Sequence, residues 1–386
     1  MGMLNNNTYV VINTGAQDLA DKFQKKEFMA AFQICLTVFG MMVRILNSRY
    51  LLKFRHLVKV IWVTIGWFIA FWIYYFSYML VGKNDWLGFG ISLFATIVIG
   101  SFTSVGSSTI IGFMKAIPAD SIAGYSSGTG IAGISGAGTY LLFSTLKLEF
   151  NEIVLILMPM CLLYFLNFKA ILNLKARLDL KITHAEDKLR EGEESKSLQE
   201  KIENGEAKVN LVLSVETIKN VLKLLGMPIY NMAMVYFLEY SCTTSFAERA
   251  HPKSSQVGDF WHRKAFVLLS LSYQLGVFIS RSTFYLFKVR KVWILTYLQM
   301  VNFVIFFTIA YWKWIEIYYQ IPLMIWVGLM GGCSYVNCMF MILENKDLSK
   351  SQKEVAINVA SFFDDLGVVS AAFFALFISN FVIRND

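Results

Sequence analysis

Long apolar blocks alternate with short polar breaks along this chain. Eleven blocks read as membrane-crossing helices: 1–20, 28–46, 57–81, 87–114, 121–146, 152–172, 220–247, 263–286, 292–312, 316–343 and 355–383. About 20 consecutive apolar residues cross the hydrocarbon of a bilayer, where each backbone polar group must be bonded within its own helix. The pattern therefore predicts an all-α fold: a polytopic helical membrane protein with about 11 transmembrane helices. Block 28–46 is the weakest of the set, and block 1–20 is short for a crossing.

One stretch breaks the pattern. Residues 173–219 are rich in Lys and Glu and contain no proline. They divide the chain into an N-terminal six-helix bundle (1–172), a charged cytoplasmic linker (173–219) and a C-terminal five-helix bundle (220–386). Two helical bundles joined by a charged loop are the layout of the major facilitator superfamily, whose two six-helix halves rock about a site at the membrane midplane. Eleven helices fall one short of it. Leu178, Ile182 and Leu189 form a helical stripe, so the linker can be partly helical. It reads as a solvated tether or as a docking segment for cytosolic protein partners.

Composition agrees. Of 386 residues, 56% are hydrophobic and 16% charged, too little charge to cover a soluble globule of this size. The net charge of +8 does not point to nucleic acid, because no basic stripe lies on a soluble face. The basic residues mark topology instead. Arg44, Arg49, Lys53, Arg55 and Lys59 lie in one loop region, Lys288, Arg290 and Lys291 in another, and Lys346, Lys350 and Lys353 in a third. All three fall on one side, which the positive-inside rule makes cytoplasmic. Arg249, Lys253, Arg263 and Lys264 lie on the opposite side and run against the bias. Trp62, Trp67, Trp86, Trp261, Trp293, Trp312, Trp314 and Trp326 sit near block ends, where an interfacial belt or ordinary packing accounts for them. The bilayer is the first partner implied.

Charge inside a crossing helix is costly, so each case is a candidate site. Glu239 lies within Val235-Tyr236-Phe237-Leu238-Glu239-Tyr240, Arg281 late in the eighth block, and Asp364 and Asp365 within the eleventh. Gln274 and Arg281, seven residues apart, share a helix face. A cavity lined by Glu239, Arg281 and Asp364 suits a small polar or zwitterionic metabolite, a phosphodiester or protons. The competing readings are an ion pair that locks helices together and, for Arg281, a side chain snorkelling to the interface. Gly128, Gly130 and Gly133 lie in a run of small residues that suits close helix packing or a flexing gate. The run lacks the lysine and the strand that a phosphate-binding loop needs.

Catalytic and metal motifs do not appear. His56, His184, His251 and His262 make no zinc or acyltransferase pattern, and the five cysteines make no C-x-x-C pair. No cofactor and no enzymatic reaction are implied.

The same segments resemble the battenin family. The likeness runs through Asn6-Asn7-Thr8-Tyr9-Val10-Val11 with Asp18, then Ser126-Ser127-Gly128-Thr129-Gly130, the segment around Glu239, and Tyr273 to Ser282. It continues through Gly331-Gly332-Cys333-Ser334-Tyr335-Val336-Asn337 and closes with Asp364-Asp365-Leu366-Gly367. The resemblance implies a major-facilitator-like protein of the lysosomal or vacuolar membrane. It links the chain to organelle pH homeostasis and to transport of basic amino acids such as arginine or of glycerophosphodiesters. It adds Asn6, Tyr335 and Asn337 to the candidate residues. It also marks Ser107, which stands where the family carries an acidic residue. The alternative is a non-transporting membrane scaffold or regulator acting through the 173–219 linker.

Overall fold

The computed structural model describes residues 1–51, 54–114, 120–190, 215–250, 260–283, 288–348 and 350–383. In chain order the first helices are α1 (Gly2–Lys22), α2 (Ala30–Leu46), α3 (His56–Tyr78), α4 (Asp85–Met114), α5 (Asp120–Thr145), α6 (Phe150–Leu157) and α7 (Pro159–Arg190). There follow α8 (Val215–Tyr240), α9 (Phe260–Arg263), α10 (Ala265–Ser282), α11 (Trp293–Trp312), α12 (Ile317–Glu344) and α13 (Lys350–Phe377). Short π-helical segments, Asn47–Leu51, Ser241–Phe246 and Ile378–Val382, prolong α2, α8 and α13. No strand occurs among the described residues.

Among the described residues, nine segments are long and apolar enough to cross a membrane, including Lys26–Leu46, the block that reads weakest in sequence. Helices α1 and α5 have similar length but polar or small-residue faces, and they pack against each other. Buried Asn5, Asn7, Thr8 and Thr14 on α1 face protein rather than lipid. The chain is a multi-pass membrane protein. Helices α6 and α7 form one crossing that breaks at Pro159, which has no N–H to continue the ladder. Helix α7 runs on through the first part of the expected linker to Arg190. Residues 191–214, where the docking reading falls, lie outside the described residues.

The two halves repeat one pairing scheme. In the first, α1 packs on α5 and α2 on α4; in the second, α8 packs on α13 and α10 on α12. Missing side chains let these backbones approach. A methyl group on Gly276 or Gly328 would run into the facing backbone of the α10–α12 pair. The same holds for Gly100 against Leu36 and for Gly367 against Ala233. The halves meet where α5 packs on α10 and α2 on α13.

Arg249 departs from its sequence reading, and of the two readings open for Trp67 the structure favours packing. Arg249 is buried, and its guanidinium donates to Glu248 at 2.7 Å and to the Ser245 carbonyl at 2.9 Å. It is therefore not a free loop charge opposing the topological bias. Trp67 belongs to the core rather than to an interfacial belt: its indole N–H donates to Thr103 at 3.2 Å and its ring lies against Tyr164. Trp86, Trp293, Trp312 and Trp314 are exposed at helix ends, as a belt requires.

Candidate functional site

The cluster begins at the end of α8. Glu239 lies in the last turn before the π-helical segment, a distortion of the hydrogen-bond ladder that is frequent at functional sites. Tyr236, Glu239 and Tyr240 are three and four residues apart and so share one helix face. Glu239 is 2% exposed. Its Oε1 accepts a hydrogen bond from the Tyr273 hydroxyl at 3.1 Å. Its Oε2 is pressed against Gly331 of α12 and has no partner. A buried oxygen without a donor is costly, and here the cost is concentrated at one carboxylate.

Arg281 lies two turns further along α10 than Tyr273, about 12 Å at 1.5 Å per residue. Its Nη1 donates to Thr129 of α5 at 3.1 Å, and its Nη2 lies 3.5 Å from the Tyr236 hydroxyl. The guanidinium sits over the Tyr335 ring, 4.6 Å from its centre. Its Nε is buried and unpartnered. The side chain is thus held inside the protein by both halves, which excludes snorkelling. Tyr236 stacks on Tyr240 and packs on Tyr335, completing an aromatic wall.

Asp364 is buried on α13, with Oδ1 unpartnered. Its neighbour Asp365 points toward the other half and meets Arg44 of α2 at 3.0 Å. Asp364 lies in the electrostatic field of Asp365, Arg44, Glu239 and Arg281. No ion pair joins Glu239, Arg281 and Asp364 to one another, so the reading of an inter-helix lock finds no bond among them.

The first half supplies a polar wall. Tyr9 of α1 accepts from Gln33 at 2.6 Å, and Gln33 donates to Thr37 at 2.9 Å. Tyr9 lies within electrostatic range of Tyr240 across the halves. Ser107 accepts from Asn5 at 2.7 Å. The asparagine engaged here is therefore Asn5, whereas Asn6 is tied to Asn5 at 3.4 Å.

The other candidates divide. Gln274 lies on Gly133, and Phe278 on Gly130, along the α5–α10 contact, while Gly128 faces the α1 backbone. These glycines are inside a continuous helix whose N–H groups are spent on its own ladder, so they build no phosphate cradle. Asn337 stands apart from the cluster: its Oδ1 accepts from the Val289 backbone at 2.7 Å and its Nδ2 donates to the Cys333 carbonyl at 2.8 Å. It pins the segment after α10. Among the described residues no three His, Cys, Asp or Glu side chains are placed to hold a metal ion.

A family model described as CLN3 protein matches residues 1–384. A battenin from Dictyostelium discoideum is 28% identical, with 100% of this chain and 94% of that protein covered. Protein BTN1 of Kluyveromyces lactis is 27% identical over 98% of this chain and 91% of its own. Among solved structures, a D-xylose-proton symporter superposes with a TM-score of 0.60 at 9% identity, covering 98% of this chain and 89% of that one. A bacterial homologue of the human lysosomal transporter Spinster, inward-facing and unoccupied, gives 0.50 at 14% identity, covering 97% and 79%. These two likenesses bear on the fold alone.

Proposed function

The chain belongs to the CLN3 protein family, and from that premise we propose that it is a transporter that carries a small charged metabolite across a lysosomal or vacuolar membrane. The observation that carries the reading is the set of unspent charges at the seam between the halves. Glu239 and Asp364 are buried and Arg281 half-buried within spans, they lie within electrostatic range of one another, and they form no ion pair together. Charged groups inside a bilayer protein are retained where a solute or proton meets them.

The roles follow from the donor sets. Arg281, fixed by Thr129 and Tyr236, presents its Nε to a carboxylate or phosphodiester oxygen. The free Oε2 of Glu239 and Oδ1 of Asp364 take a cationic group or protons. Rocking of the halves about the α5–α10 and α2–α13 contacts would expose these groups to each side in turn. Substrates of this chemistry include basic amino acids such as arginine and glycerophosphodiesters, and their movement with protons would bear on organelle pH homeostasis.

The test is efflux from isolated vacuoles of cells that lack their own family member. Vacuoles carrying the full chain are loaded with labelled arginine or a labelled glycerophosphodiester under a pH gradient. Efflux of one class above the empty-vector background is the expected result. Background efflux of both, with the protein in the vacuolar membrane, contradicts the reading and favours a scaffold acting through the 173–219 linker.

A further inference from the structure

Arg44 sits in the last turn of α2, and Asp365 in α13, on opposite halves of the molecule. Nη1 of Arg44 lies 3.0 Å from Oδ2 of Asp365. A guanidinium carries five N–H donors in a planar fork, able to bind more than one acceptor. Its Nε is buried and without a partner. Arg281, from the other half, shares that condition. Arg281 sits over the Tyr335 ring at 4.6 Å, and Tyr335 and Tyr125 each lie within electrostatic range of both arginines, so the two guanidinium groups belong to one region at the seam of the halves. Arg44 and Asp365 are both half-buried.

We infer that Arg44 is a second substrate ligand, contributed by the first half, which binds the anionic group of the substrate together with Arg281 and is held in reserve by Asp365. This inference rests on the proposed transport site and deepens it. The substrate it selects carries a compact anion, a carboxylate or a phosphodiester, able to accept from two forks at once. When that anion arrives, it replaces Asp365 on Arg44. The contact between α2 and α13 is then released at the moment the site fills, which links occupancy to movement of the halves. Asp365 is a positioning residue in this scheme and does not touch substrate.

The test uses the full chain in lipid nanodiscs, so it reads binding without requiring flux. The probes are L-arginine, glycerophosphocholine, and agmatine, which is arginine without its carboxylate. Arg44→Gln is expected to weaken binding of whichever anion-bearing probe the wild type binds by about tenfold, as loss of a charge-assisted hydrogen bond implies. Asp365→Asn is expected to tighten it several-fold, because Arg44 is set free. Agmatine binding should follow neither change. The opposite signs separate a ligand from a structural pair, whose two partners would act alike. If Arg44→Gln does not fold, Asp365→Asn decides alone: tighter binding supports the inference, and unchanged or weaker binding overturns it. A wild type that binds neither anion-bearing probe also overturns it. Vacuolar efflux that persists while both variants weaken binding overturns this inference and leaves the transport reading standing. Absent efflux with opposite signs in binding does the reverse.

Discussion

The Tyr273 hydroxyl donates to one oxygen of Glu239 at 3.1 Å and leaves the other against Gly331 with no donor. Two helices, α10 and α12, thus fix a carboxylate that α8 delivers. The tyrosine positions it and the glycine makes room for it. Removing the hydroxyl strands a second buried oxygen, at a cost of about 1–3 kcal/mol. Tyr273→Phe should lower the melting temperature of the purified protein and reduce efflux. An unchanged melting temperature would show that the hydrogen bond is not made.

Gly331→Ala tests the same carboxylate from the other side. The added methyl would occupy the place of Oε2, so Glu239 must turn away from Tyr273. Overpacking of this kind costs about 1–3 kcal/mol. Efflux should fall further than in Tyr273→Phe, because Glu239 itself is displaced. Full activity in Gly331→Ala would place the carboxylate elsewhere.

Asn337 is expected to behave differently from its neighbours in sequence. Its amide holds Val289 and Cys333 backbone groups and faces no part of the charged cluster. Asn337→Ala should cost about 1–2 kcal/mol of stability through the lost hydrogen bonds while leaving substrate KM within about twofold. A large rise in KM with normal stability would return it to the binding site.

On the face opposite the basic loops, Glu149 caps α6 and accepts from Lys22 at 2.7 Å and from the Tyr78 hydroxyl. Burial pushes its carboxyl upward, but the Lys22 and Tyr78 hydrogen bonds outweigh that and hold it below the usual carboxylate range. A lowered carboxylate pKa adds stability above the unfolded pKa of about 4.3, and that stability fades as pH falls through the lower folded value. The corner of α1, α3 and α6 should therefore hold at mildly acidic pH and loosen only in stronger acid. Hydrogen exchange near Glu149 against pH checks this, and Glu149→Gln should flatten the profile.

The helices were legible because apolar blocks of spanning length leave few other structures in a bilayer. Each of the eleven expected blocks falls on a long helical unit, to within a few residues for most boundaries, and nine such segments among the described residues are apolar enough to cross. Glu239, Arg281 and Asp364 were legible for the same reason, since charge stands out in such blocks. What was not legible depends on which helices touch. Arg44 reads as one of a group of loop cations, and only the packing of α13 on α2 gives it Asp365 as a partner. Asn5 rather than Asn6 meets Ser107 because one residue along a helix turns the side chain by about 100°. Tyr236 and Tyr240 carried a usable signal, since their spacing puts them on the face of Glu239. Trp67 carried none, because a tryptophan near a block end looks alike whether it meets lipid or Thr103.

The most direct measurement compares wild type with Arg281→Ala in the same loaded vacuoles. Both proteins are first shown to reach the vacuolar membrane in equal amounts. The account predicts efflux of one charged metabolite class by the wild type and its loss in the variant. Equal efflux from the two would contradict the central role given to the cluster around Glu239, Arg281 and Asp364.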